Sequence, residues 1–167
     1  LPDQIGEFLK KLEDRTKMNE QTRIAMLLMV LTACRKAEII GGKWEEIDLK
    51  SGEWEIPEER MKPGHPHWVP LSAQAIGLLR DLRKLTPVNQ KLLFPNRRDP
   101  RRPMANRSLN AVMERLGFSE DGTPHGMRSA FSTHFNEEHA GGDDKSKAGK
   151  EAVEYCLSHM PMGMTRA

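Results

Sequence analysis

From about Gln21 to Cys34 the chain carries Ile24, Ala25, Met26, Leu27, Leu28, Met29, Val30 and Leu31 in an unbroken row. On a helix of about 3.6 residues per turn such a row is apolar on nearly every side, so it is stable only where neighbours cover its whole circumference. The run is far shorter than the roughly 20 apolar residues that span a bilayer, so it predicts the central helix of a soluble domain and no membrane partner. The remaining residues must supply the cover.

Several segments have the pattern to do so. Ile5, Phe8, Leu9 and Leu12 recur at helical spacing after Pro2 and Asp3. Ser72 can cap a helix carrying Ile76, Leu79, Leu82 and Leu85, and Leu109, Val112, Met113 and Leu116 mark another that Gly117 can end. After Thr123-Pro124 the apolar positions Met127, Ala130, Phe131 and Phe135 predict a further helix, and a last one is expected near Ala148 to Leu157. The Gly-, Lys- and Asp-rich tract from Ala140 to Lys150 is expected to be an exposed loop between them. Between Lys43 and Leu71 the period changes. Trp44, Ile47 and Leu49 lead to Ser51-Gly52, Trp54 and Ile56 alternate with glutamates, and Trp68, Val69 and Leu71 follow Pro63-Gly64. The expected class is therefore mainly α with a small antiparallel β-sheet (α+β). At 167 residues the chain is sized for a single domain, residues 1–167.

Charge and cysteine content narrow the setting. Two cysteines, Cys34 and Cys156, and no charged-then-apolar start predict a reducing, intracellular location without disulfides. The net charge is only +2, yet Arg97, Arg98, Arg101, Arg102 and Arg107 stand against one acid, Asp99. Local positive potential of that kind suits a phosphate backbone, and a merely solvated loop is the competing reading. The chain starts at Leu1 without methionine and ends straight after Thr165 and Arg166, which reads as an excised fragment.

Four places have the residue types for phosphate chemistry. In Thr123-Pro124-His125-Gly126-Met127-Arg128, Thr and Pro are favoured at a helix start, which puts His125 and Arg128 on one face of the first turn. Unpaired N–H groups there, with a planar guanidinium, suit an oxyanion; structural capping is the alternative. Arg35, directly after the apolar helix, is held more firmly than a loop arginine and suits fixed phosphate recognition, or else a buried salt bridge to an acid such as Glu38. Lys62 falls at the tip of the expected hairpin, where its ammonium could donate a proton or merely keep an edge soluble. His159, after the final helix, could hydrogen-bond a phosphate or be an ordinary helix-end histidine.

The ordered series Arg35, Lys62, His125 with Arg128, and His159 resembles the active-site signature of tyrosine recombinases, especially phage and prophage integrases. Thr32 to Glu38 followed by Trp44 and Ile47-Asp48, then Val69-Pro70-Leu71-Ser72, Leu93-Phe94-Pro95, Thr123 to Arg128 and Leu157-Ser158-His159 all fall in that family's order, so the resemblance covers nearly the whole chain. It implies the integrase catalytic-domain fold and site-specific recombination, as in prophage integration and excision, through a 3′-phosphotyrosine intermediate and with no cofactor or metal. It also implies double-stranded DNA at attachment sites as partner, a homotetramer on DNA for the full-length protein with this piece monomeric, and a bacterial cytoplasmic location, on the nucleoid when bound.

Arg35 and Arg128 would neutralise the nonbridging oxygens, His159 would add a hydrogen bond, Lys62 would protonate the leaving 5′-oxygen and His125 would assist at the tyrosine. Three departures stand out. Ala33-Cys34 precedes Arg35 where the family often has glycine, the stretch from Arg128 to His159 is long, and the family's tyrosine follows this histidine by two to three turns, whereas Tyr155, the only tyrosine here, precedes it. Tyr155 is therefore expected to pack rather than attack. Three other readings remain: a DNA-binding remnant of a defective prophage integrase, a related type IB topoisomerase, and a metal-dependent phosphoesterase using His65 and His67.

Overall fold

A computed structural model describes residues 2–61 and 65–118 of the chain. Five α-helices and a three-stranded sheet occur in that part, in the order α1 (Pro2–Glu13), α2 (Glu20–Thr32), α3 (Lys36–Ile40), β1 (Ile47–Asp48), β2 (Glu53–Ile56), β3 (His67–Pro70), α4 (Ala73–Leu85) and α5 (Asn106–Arg115). The mainly α class with a small antiparallel sheet is borne out. The two helices expected after Thr123 and the loop from Ala140 to Lys150 lie outside the described residues.

Helix α2 is central, as its composition requires. Ile24, Ala25, Met26, Leu28 and Met29 are buried, and α2 packs against α3, α4 and α5. Asn19 starts it by accepting the Thr22 backbone N–H at 2.9 Å, satisfying one of the amide donors that a helix start leaves open. Glu20 pairs with Arg23 at 2.7 Å in the first turn, and that guanidinium holds the Glu20 carboxyl below its usual range. The helix ends at Thr32, two residues before the expected Cys34, because Ala33 turns into the left-handed region at φ 51° and ψ 19°. The Thr32 hydroxyl closes this end, donating to the Leu28 carbonyl at 2.7 Å and accepting from the Cys34 N–H.

The sheet has the order β1-β2-β3, antiparallel throughout, with Trp54 opposite both Ile47 and Val69, and Ile56 opposite His67. Alternation along the strands sends Trp54, Ile56, His67 and Val69 into the core and leaves Glu55 and Pro70 in solvent. Asp48 organises the β1–β2 turn by accepting the N–H groups of Lys50 and Ser51, bonds that hold its carboxyl below the ordinary range. Gly52, at φ 73°, supplies the left-handed step that completes the turn.

Ser72 caps α4 as expected, its Oγ accepting the Ala75 N–H at 3.2 Å, and Ala75, Leu79 and Leu82 form the buried stripe. Leu85 departs from the expected face. It is 50% exposed, because the helix ends there and Thr86 turns inward instead, donating its hydroxyl to the Leu82 carbonyl. On α5 all four expected residues, Leu109, Val112, Met113 and Leu116, are buried. Gly117 at φ 86° ends that helix, with Gly117 N–H bonded to the Glu114 carbonyl and Phe118 N–H to that of Met113, the Schellman pairing. Phe118 then meets the edge of Phe8, ring centres 5.4 Å apart, and Lys11 donates to the Leu116 carbonyl, so α1 clasps the end of α5.

Candidate functional site

Arg35 stands at the junction of two elements. The apolar circumference of α2 fixes one side of it, and Arg35 is itself the extended residue that starts α3, with φ −66° and ψ 148°. Glu38, three residues on and only 3% exposed, accepts both the Arg35 backbone N–H at 2.6 Å and the Arg35 Nη1 at 2.8 Å. One carboxylate thus caps the helix and orients the guanidinium. The salt bridge to Glu38 and fixed presentation of the guanidinium were alternatives on sequence grounds; in the structure they are one arrangement. The Arg35 side chain remains 31% exposed beside its buried partner.

A second guanidinium ties to the same short helix. Arg60, in the connection between β2 and β3, pairs through Nη1 with the buried carboxylate of Glu46 and donates through Nη2 to the Glu38 main-chain carbonyl at 2.6 Å. The same Glu46 oxygen accepts the Trp54 indole N–H and the Lys43 N–H, each at 3.1 Å. The sheet, the loop before it and α3 therefore converge on Arg60. Its chemistry had no signal in the sequence, because the partners lie 14 and 22 residues away along the chain.

Lys36, next to Arg35, reaches Asn110 on α5 at 3.2 Å, which ties α3 to the helix that follows the arginine-rich connection. That connection is folded, with its arginines exposed. Pro95 bridges Pro103, Asn96 N–H bonds the Arg102 carbonyl at 2.8 Å, and Met104 N–H bonds that of Phe94 at 2.7 Å. Asp99 takes Arg101 and Arg102, whereas Arg97, Arg98 and Arg107 are exposed and make no ion pair among the described residues. Arg97 and Arg98 line a groove of about 580 Å³ with Arg115, Asn19, Ser108 and Met104 among the other walls.

Of the five site residues expected from the sequence, Arg35 is described; Lys62, His125, Arg128 and His159 lie outside the described residues, as do Tyr155 and Cys156. Lys62 immediately follows Met61 in the β2–β3 connection, whose Arg60 is anchored to α3. No group of three or more His, Cys, Asp or Glu able to hold an ion occurs among the described residues, His65 and His67 included. Cys34 is buried, 1% exposed. No helix among the described residues is long and apolar enough to cross a membrane.

Comparison with known proteins follows the same lines. Residues 1–166 match the model of the phage integrase family. The chain is 35% identical over 137 residues to the prophage integrase IntA of Escherichia coli, which covers 82% of this chain and 33% of that protein. It is 34% identical over 161 residues to the prophage integrase IntZ of the same organism, covering 96% and 37%. The chain thus spans about a third of the length of these relatives. The XerH site-specific recombinase bound to its difH substrate in a pre-cleavage complex superposes with a TM-score of 0.70 at 22% identity, over 95% of this chain and 46% of that one. The XerA recombinase gives 0.68 at 18% identity, over 93% and 55%. At those identities the likeness is one of fold.

Proposed function

The chain belongs to the phage integrase family of tyrosine recombinases, and on that premise we propose that it is a single catalytic domain serving prophage integration or excision. The observation that carries this is Arg35: a guanidinium set at the end of a rigid apolar helix, oriented by a buried glutamate and still open to solvent. An enzyme that stabilises charge developing on phosphate oxygens needs donors fixed before the reaction starts.

In the proposed reaction a tyrosine hydroxyl oxygen attacks the scissile phosphorus, the bond from phosphorus to the 5′-oxygen breaks, and a 3′-phosphotyrosyl link replaces it. The tyrosine loses its proton with the help of His125, and the departing 5′-oxygen takes one from Lys62. Arg35 and Arg128 neutralise the nonbridging oxygens while His159 adds a hydrogen bond. The covalent link conserves bond energy, so a 5′-hydroxyl of a partner strand reverses the step without a nucleotide cofactor. The partner is double-stranded DNA at an attachment site, approached by Arg97, Arg98 and Arg107, which are exposed and make no ion pair among the described residues, and the whole recombinase works as a homotetramer on that DNA in the bacterial cytoplasm.

The attacking tyrosine follows His159 in this family, so Tyr155 is not the nucleophile. Covalent capture tests the reading. A parent protein carrying a tyrosine after His159 is incubated with a nicked suicide duplex in excess chelator, and the adduct is mapped. A 3′-adduct on that tyrosine is expected, and none with the 167-residue chain alone. An adduct through Tyr155, or activity abolished by chelator, overturns the reading; DNA held by the parent without any adduct favours a defective remnant.

A further inference from the structure

We propose that Arg60 is a positioning residue for the phosphate site, holding α3, and with it Arg35, at a fixed place against the sheet. The proposal rests on the role given to Arg35 above.

Helix α3 has only five residues, far too few to hold its shape alone. Its apolar residues Ile39 and Ile40 are buried, which fixes its depth, but apolar contact is non-directional and does not fix its rotation. The polar ties must do that. Among the described residues Lys36 supplies one through Asn110, and Arg60 supplies another by donating to the Glu38 carbonyl, a last-turn acceptor. Glu38 is also the residue whose carboxylate aims Arg35, so a shift of the Glu38 backbone moves the Arg35 guanidinium directly.

Arg60 is suited to this because it is itself well anchored. Its side chain is 17% exposed, its other nitrogen is committed to Glu46, and Glu46 is fixed by Trp54 and Lys43. Gly41 makes room for it: a β-carbon there would lie 3.1 Å from Arg60 Nη2. The planar fork serves the carboxylate and the carbonyl from two separate nitrogens; a lysine ammonium keeps the charge but not that geometry.

The test uses the full-length recombinase in single-turnover cleavage of a nicked suicide duplex, with either an ordinary scissile phosphate or a methylphosphonate, which lacks one charged nonbridging oxygen. Removing Arg60 outright strands the buried Glu46 charge and endangers folding. The variants are therefore Arg60→Lys and the paired Arg60→Met with Glu46→Gln, each checked by its melting curve, beside Arg35→Ala as reference.

Arg60→Lys is expected to slow cleavage of the ordinary phosphate by about 10-fold to 10²-fold through misplacement of Arg35, with DNA affinity kept. On the methylphosphonate most of that defect should disappear, as it should for Arg35→Ala, because the charge to be neutralised is gone. The paired variant should behave likewise. Equal slowing on both substrates, or no slowing by either folded variant, overturns the role of Arg60. Relief for Arg35→Ala without relief for Arg60→Lys removes Arg60 alone, whereas an Arg35→Ala defect that persists on the methylphosphonate removes the assignment of Arg35 and Arg60 with it.

Discussion

Ala33 shows how a single residue can sit against its own preference. It ends α2 at φ 51°, a conformation that costs an L-residue roughly 1–2 kcal/mol and glycine almost nothing. That backbone angle is one glycine adopts freely, and the sequence alone did not reveal it. Replacement by glycine would relieve the strain but lose a buried methyl, about 0.8 kcal/mol, and add unfolded-state freedom of roughly 0.4–1 kcal/mol. The terms nearly cancel. Ala33→Gly should therefore shift stability by less than about 1 kcal/mol in denaturant titration, whereas Ala33→Val, β-branched and buried in the same conformation, should cost more than about 2 kcal/mol. A strongly destabilising glycine would mean that the strain is not there.

Elements with long periodic patterns were legible and short ones were not. The stripes of α1, α4 and α5, the caps at Ser72 and Gly117 and the strand alternation around Trp54 all follow from local spacing. Helix α3 was missed because five residues give no periodicity, and its stability comes from contacts distant in sequence. The same cause hid Arg60. Docking of the 91–94 segment was equally invisible: Trp44 N–H bonds the Lys91 carbonyl and Leu93 N–H that of Gly42, each at 2.8 Å. That approach requires a bare α-carbon, since a β-carbon at Gly42 would come within 2.6 Å of Leu93 Cδ1 and 3.0 Å of the Trp54 ring. Gly42→Ala should destabilise the domain by about 1–3 kcal/mol, read as a lower urea midpoint at unchanged slope. An unchanged midpoint would show that Leu93 yields freely.

At the scale of the molecule, the helices and sheet matter for what they bring together. The apolar girth of α2 makes it the reference on which α3, α4 and α5 pack. Arg35 leaves the end of that reference beside the helix that follows the basic connection, so the two features that suggested phosphate binding independently lie on neighbouring elements. Of the site residues expected from the sequence, Arg35 is the one described, and its coupling to Glu38 was only one of two alternatives there, since spacing cannot say whether a guanidinium is buried or offered.

The central claim, that Arg35 and Arg128 form a prearranged phosphate site, is tested most directly by the single-turnover rate of suicide-substrate cleavage in a recombinase that carries the nucleophilic tyrosine. Arg35→Ala and Arg128→Ala should each lower that rate by about 10²-fold or more with the protein still folded, as loss of an oxyanion donor does. Near-normal cleavage by either variant would contradict the account for that arginine.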